Sequence, residues 1–115
     1  MLKLKPGVNA AHVQPELLLG LMVVNDVFRA AGHDCVITSL FEGKHGANTL
    51  HQRDGLCRAA DIRTKMLPPE IVPNMLVEMK ANLGQDYDLV YESAGTPNEH
   101  MHMEYDPKPI TVKLT

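Results

Sequence analysis

Residues 100–104 read His-Met-His-Met-Glu, an alternation of ionisable and apolar side chains with a period of two. A helix would scatter these residues around its axis. A β-strand instead sends His100, His102 and Glu104 to one side and Met101 and Met103 to the other. The segment therefore requires a sheet with one face built into a core and the other open to polar chemistry. Something in the chain must cover the methionine side.

Two segments are suited to that. Residues 14–31 read as a helix, with Pro15 at a first helical position, Leu18, Leu21, Met22, Asn25 and Phe28 marking successive turns, and Gly32 as the stop. Residues 68–82 read as a second, in which Ile71, Met75, Leu76 and Met79 share a face, Pro73 is tolerated near the start and Gly84 ends the run. Strands are expected at 35–38, 58–63, 86–92, 100–105 and 110–114, with an irregular start before residue 14 and a turn at 93–98. The glycine-rich span 39–56 has no periodicity, and structureless spans of that length in small domains are usually binding or catalytic loops. The expected fold is α+β: a mainly antiparallel sheet of four to five strands with two helices packed on one face.

With 115 residues, of which 44% are apolar, the chain is expected to form a single domain over 1–115. Its longest apolar run, 17–24, contains Gly20 and falls far short of the roughly 20 residues that span a bilayer. The first residues are not followed by an apolar run and a small-residue cleavage site, so cytoplasmic synthesis without a signal peptide is expected. A formal charge of -3 and the lack of a basic block argue against a nucleic-acid partner. Cys35 and Cys57 form no Cys-x-x-Cys pair and read as two reduced thiols. The six histidines outnumber the five Phe plus Tyr. Of these, His12 and His33 flank the first helix and read as surface residues.

His100 and His102 on one strand face suggest a metal site, since neutral imidazole is the commonest metal ligand; a solvated strand face is the plain alternative. A second half comes from residues 51–63. Asp61 stands in a small, apolar strand, where an unpaired carboxylate is costly to bury. Its partner is either a metal ion or Arg63, two residues on and on the same face. Adding His51 gives two imidazoles and a carboxylate from three separate places, with one position left for water, which is the arrangement of a catalytic zinc.

The motifs Thr49-Leu50-His51 through Ala59-Ala60-Asp61-Ile62-Arg63-Thr64 and Glu99-His100-Met101-His102-Met103-Glu104-Tyr105 resemble the zinc peptidases that include D-Ala-D-Ala carboxypeptidases and dipeptidases and phage L-Ala-D-Glu endolysins. Lysostaphin and the hedgehog signalling domain belong to the wider fold group. The resemblance runs from about the first helix to Pro107, with its specificity in the two motifs. It implies Zn2+ held by His51, Asp61 and His102. It also implies Glu99 as the general base, with His100 as the alternative, since in lysostaphin-like relatives the first His of such a pair is the proton acceptor. The family usually has six residues between the first His and the Asp, whereas nine stand here, with Cys57 in place of a glycine. The extra residues are expected to bulge out around Gly55; His45 is the substitute first ligand, and Cys57 as a thiolate a remoter one.

The implied activity is hydrolysis of an amide bond in peptidoglycan stem peptides by a phage or prophage enzyme that reaches the wall after release. Zinc would acidify its water, the base would take the proton, and the oxyanion would develop on the metal. A substrate carboxylate would need a cation, for which Arg53, Arg58 and Lys44 are candidates, and Ser39 resembles a substrate-contacting position of the family. Two other functions stand beside this one: a zinc-containing binding or structural module without turnover, and a zinc enzyme acting on a small substrate outside the wall.

Overall fold

The computed structural model describes residues 1–42 and 49–109. Helix α1 spans Pro15–Ala30, opened by Pro15 and closed by Gly32 at φ +82°. Helix α2 spans Val72–Leu83 and is preceded by a 3-10 turn over Pro69–Ile71, so Pro73 falls in its first turn, where a missing N–H costs nothing. The strands are β1 (Leu2–Leu4), β2 (Cys35–Ser39), β3 (Ala59–Arg63), β4 (Tyr87–Glu92) and β5 (His100–Tyr105).

These strands form one sheet in the order β1-β2-β3-β5-β4, parallel between β1 and β2 and antiparallel elsewhere. The α+β expectation holds. The short edge strand β1 stands where an irregular start is expected from the sequence: three residues, Leu-Lys-Leu, are too few to show a period. The strand expected at 110–114 lies outside the described residues.

Both helices cover the same face. Leu17, Leu21, Val24 and Phe28 of α1 and Val72, Met75 and Met79 of α2 pack with Ile37, Ala60, Ile62, Leu89, Met101 and Met103 in one buried cluster. Leu18 and Met22, taken from the sequence as turn markers of the buried stripe, face outward at 49% and 55% exposure. The stripe is instead Leu17, Leu21, Val24 and Phe28, since 17–24 is apolar nearly all the way round and fixes no single face. Among the described residues no helix is long and apolar enough to cross a membrane.

Alternation then fixes what the other face carries. Asp61 and Arg63 from β3 and His100, His102 and Glu104 from β5 point away from the helices. Asp61 lies directly opposite His102, and Arg63 opposite His100.

Candidate metal centre

His51 reaches this face from the loop side. Thr49 caps the 3-10 turn Leu50–Gln52 by accepting the His51 N–H, and His51 itself is only 5% exposed. Its Nδ1–H donates to the Leu40 carbonyl at 2.8 Å, which turns Nε2 toward Asp61, 3.6 Å from Oδ2. Leu40 is in turn held by Glu42, whose carboxylate accepts from the backbone N–H groups of Leu40 and Asn9 and from the Ser39 hydroxyl. Burial works against the Glu42 charge, but these hydrogen bonds outweigh it and hold the carboxyl below the usual glutamate range.

Between His51 and Asp61 the chain makes a tight turn around Gly55, the place where a bulge is expected. Arg53 and Leu56 exchange both backbone hydrogen bonds around Asp54 and Gly55, at φ +54° and +73°. That is the Asp-Gly hairpin turn, in which both central residues need positive φ. The turn folds these residues back on themselves, and His51 meets Asp61.

On the strand side, His102 Nδ1 is 2.8 Å from Asp61 Oδ1 and its Nε2 is 2.8 Å from Glu104 Oε1. The bond to Asp61, reinforced by Glu104, raises His102 to about 9 against a smaller opposing effect of burial. For Asp61, burial acts to raise the pKa, yet the bonds to His102 and His51 more than reverse it, so the group stays ionised well below the usual aspartate range. Burial with imidazole partners answers the question posed by a carboxylate in this strand; Arg63 makes no ion pair among the described residues.

Donor atoms of His51, Asp61 and His102 all lie within 4.8 Å of one another. A tetrahedral ion with bonds of about 2.0–2.1 Å separates its ligands by about 3.4 Å, so the set fits a small divalent cation after shifts of well under an ångström for the measured pairs. Each imidazole is tethered through the nitrogen facing away, His51 to a carbonyl and His102 to a carboxylate, as metal-binding histidines require. The residues present thus suit a cation held by two nitrogens and one oxygen. Asp88, Glu104 and Asp106 also cluster, but Lys108 bonds Asp88 at 3.0 Å and lies 3.5 Å from Asp106, which accounts for them.

The remaining expected site residues fall out as follows. His100 donates from Nδ1 to the Asn98 carbonyl at 2.6 Å, leaving Nε2 3.8 Å from Asp61 Oδ1 and 3.6 Å from Glu92 Oε2. Strand β5 does begin at His100, and Glu99 shares a cavity with Asp61 and His100. Yet both Glu99 oxygens are engaged: one accepts from the Gly95 N–H and the other from Thr64 Oγ1, with the Tyr91 hydroxyl a third donor. These bonds, the Gly95 amide first, hold its carboxyl below the usual range. Ser39 is the Cα partner of Asp61 but spends its hydroxyl on Glu42. Arg53 belongs to the hairpin turn, and Arg58 holds Leu50 and Tyr105 through its backbone; neither lines the cavity. Cys57 is buried, donates to the Ala59 carbonyl at 3.2 Å and has its thiol pushed up by burial, so it offers no thiolate. Lys44 and His45 lie outside the described residues.

Compared with protein-family models, with curated proteins and with solved structures, the chain matches none.

Proposed function

We propose that this protein is a zinc-dependent peptidase that hydrolyses an amide bond in peptidoglycan stem peptides, with His51, Asp61 and His102 as the metal ligands. The observation that carries the reading is the convergence of these three donors from three elements on an open sheet face, each imidazole fixed by its far nitrogen. A cavity of about 510 Å³ lined by Asp61 and His100 opens beside them. Three donors meet here among the described residues, whereas a purely structural centre is closed by a fourth protein ligand. Zinc held by His51, Asp61 and His102 would supply Lewis acidity toward a carbonyl oxygen and would acidify water.

The chain's own residues supply the rest. Asp61 places a fixed negative charge between two imidazoles, and Glu104 keeps the His102 Nδ1 turned to the ligand cluster. His100 is assigned the proton: with Nδ1–H committed to Asn98, its Nε2 is left between Glu92 and Asp61 at the cavity. Glu99, whose two oxygens already accept from Gly95, Thr64 and Tyr91, is assigned to holding the turn at 93–98. The reading keeps the expected biology, an enzyme of phage or prophage origin that acts on the wall after release.

The test is direct. Purified protein should hold about one zinc per chain and release defined muropeptide fragments, identified by mass spectrometry, that vanish with chelator. General-base removal costs about 10²–10⁴-fold, so His100→Gln should lose turnover on that scale with zinc retained, while Glu99→Gln should stay within about tenfold of the parent. The reverse ranking would return the base to Glu99. Stoichiometric zinc without any fragment would leave a metal-holding module, and hydrolysis confined to small non-wall amides would move the substrate elsewhere.

A further inference from the structure

The cavity beside Asp61 has a feature that the metal ligands do not explain. Its lining includes three cations, Lys5, Arg63 and Lys65. Elsewhere Lys3 pairs with Asp34, Arg29 with Asp26 and Lys108 with Asp88, while Lys80 and Arg58, like the cavity cations, show no ion pair among the described residues. Lys5, Arg63 and Lys65 make no ion pair or side-chain hydrogen bond among the described residues. The two acids of the same lining are already engaged, Asp61 by imidazoles and Glu99 by Gly95, Thr64 and Tyr91. Asp61 and Glu99 keep their negative charges, so the lining carries three cations against two anions, and an anion seated on the side of Lys5, Arg63 and Lys65 would be attracted by all three.

Their placement along the chain sets the reach. Asp61, Arg63 and Lys65 succeed one another at a spacing of two residues, Arg63 on the same face of β3 as Asp61. Lys5 joins from the other side, where its N–H is anchored to the Ile37 carbonyl in β2 at 2.9 Å. Two residues of strand advance about 7 Å, the length of about two residues of extended peptide.

The geometry points to an anion subsite made by Arg63, Lys65 and Lys5 that holds a free carboxylate of the substrate within about two residues of the bond to be cut. This rests on the peptidase reading of the neighbouring ligands for what the substrate is, though the subsite itself needs only the cations and the cavity. Arg63 is the anchor, because its planar guanidinium grips a carboxylate with two parallel bonds; the two lysines add charge without fixing orientation. Peptides amidated at that carboxylate, or without one close to the scissile bond, are then poor ligands.

The experiment uses N-acetyl-D-alanine and N-acetyl-D-alaninamide as probes, titrated by NMR into the full chain with one equivalent of zinc. The acid should bind at least about tenfold tighter than the amide. In an Arg63→Gln/Lys65→Gln variant that keeps its zinc, the preference should fall to about twofold or less. The exposed pair Lys5→Gln/Lys65→Gln guards against a folding defect at Arg63 and should lose part of the preference, about threefold. Equal binding of acid and amide by the parent overturns the subsite. So does an undiminished preference in the Arg63 variant, since the carboxylate would then be held by the metal. Loss of preference in the variant with no muropeptide cleavage by the parent removes the peptidase and keeps the subsite; cleavage without any preference does the opposite.

Discussion

Glu104 shows how much one side chain outside the ligand set can decide. Its Oε1 lies 2.8 Å from His102 Nε2, so the proton on that nitrogen has a fixed acceptor and Nδ1 is the atom left for a metal. Partners of this kind typically carry 10- to 100-fold in metal affinity. Glu104→Ala should therefore weaken zinc binding by about that factor in a competition titration against a chromophoric chelator, and Glu104→Gln, which keeps an acceptor, should recover most of it. Unchanged affinity in the Ala variant would strip Glu104 of this role. The period-two alternation at 100–104 made the shared direction of His102 and Glu104 legible in the sequence. It did not tell which imidazole nitrogen each neighbour would take, because that depends on the β3–β5 register. Glu42 was not legible at all: nothing in Ser-Leu-Phe-Glu announces a carboxylate that folds back on Leu40 and Asn9 to set the carbonyl that aims His51.

At the scale of elements, Gly20 governs how α1 meets β4. The Tyr87 ring lies where a Cβ on Gly20 would stand, with its nearest ring carbon 2.5 Å from that position, and the Tyr87 hydroxyl bonds the Glu16 carbonyl. Ala in place of Gly gains about 1 kcal/mol of helix propensity but must displace an aromatic ring that is bonded at its far end. Overpacking of this kind typically costs about 1–3 kcal/mol, so Gly20→Ala should come out destabilising by about 1 kcal/mol in urea unfolding. A stabilised variant would mean that the ring moves freely. The sequence marks Gly20 only as an interruption of an apolar run, since its reason lies in Tyr87, far along the chain. The same distance explains the misplaced stripe on α1. Periodicity needs polar residues to choose a face, and 17–24 offers none, so only contact with the sheet selects Leu17 over Leu18. By contrast, Asp54-Gly55 carries its turn locally, and the bulge that lets His51 and Asp61 meet was readable in advance.

For the molecule as a whole, the proposed centre would couple folding, protonation and metal in opposing directions. With no metal added, His102 at about 9 is raised above its ordinary value of 6.5, chiefly by its bond to Asp61. Its stabilisation is then complete below about pH 6.5 and is lost as pH rises toward 9. Asp61, depressed in the fold, adds stability above its ordinary value of 3.8 that disappears on acidification through its lower folded value. A metal ligand must be deprotonated, so on the proposed zinc reading the ion would have to displace the proton that stabilises the metal-free protein. Below pH 9 its apparent affinity should rise by up to about tenfold per pH unit from this one group. Zinc at about 100 times its dissociation constant adds about 2.7 kcal/mol, or roughly 10 °C in Tm for a chain of this size. Differential scanning fluorimetry between pH 6 and 8 at fixed free zinc should therefore show two trends at once: a falling Tm in chelator and a widening gap between chelator and zinc. His102→Ala should flatten both. A gap that stays constant across that range, or that survives in the variant, would mean that metal binding and the Asp61–His102–Glu104 proton network are separate features of the fold.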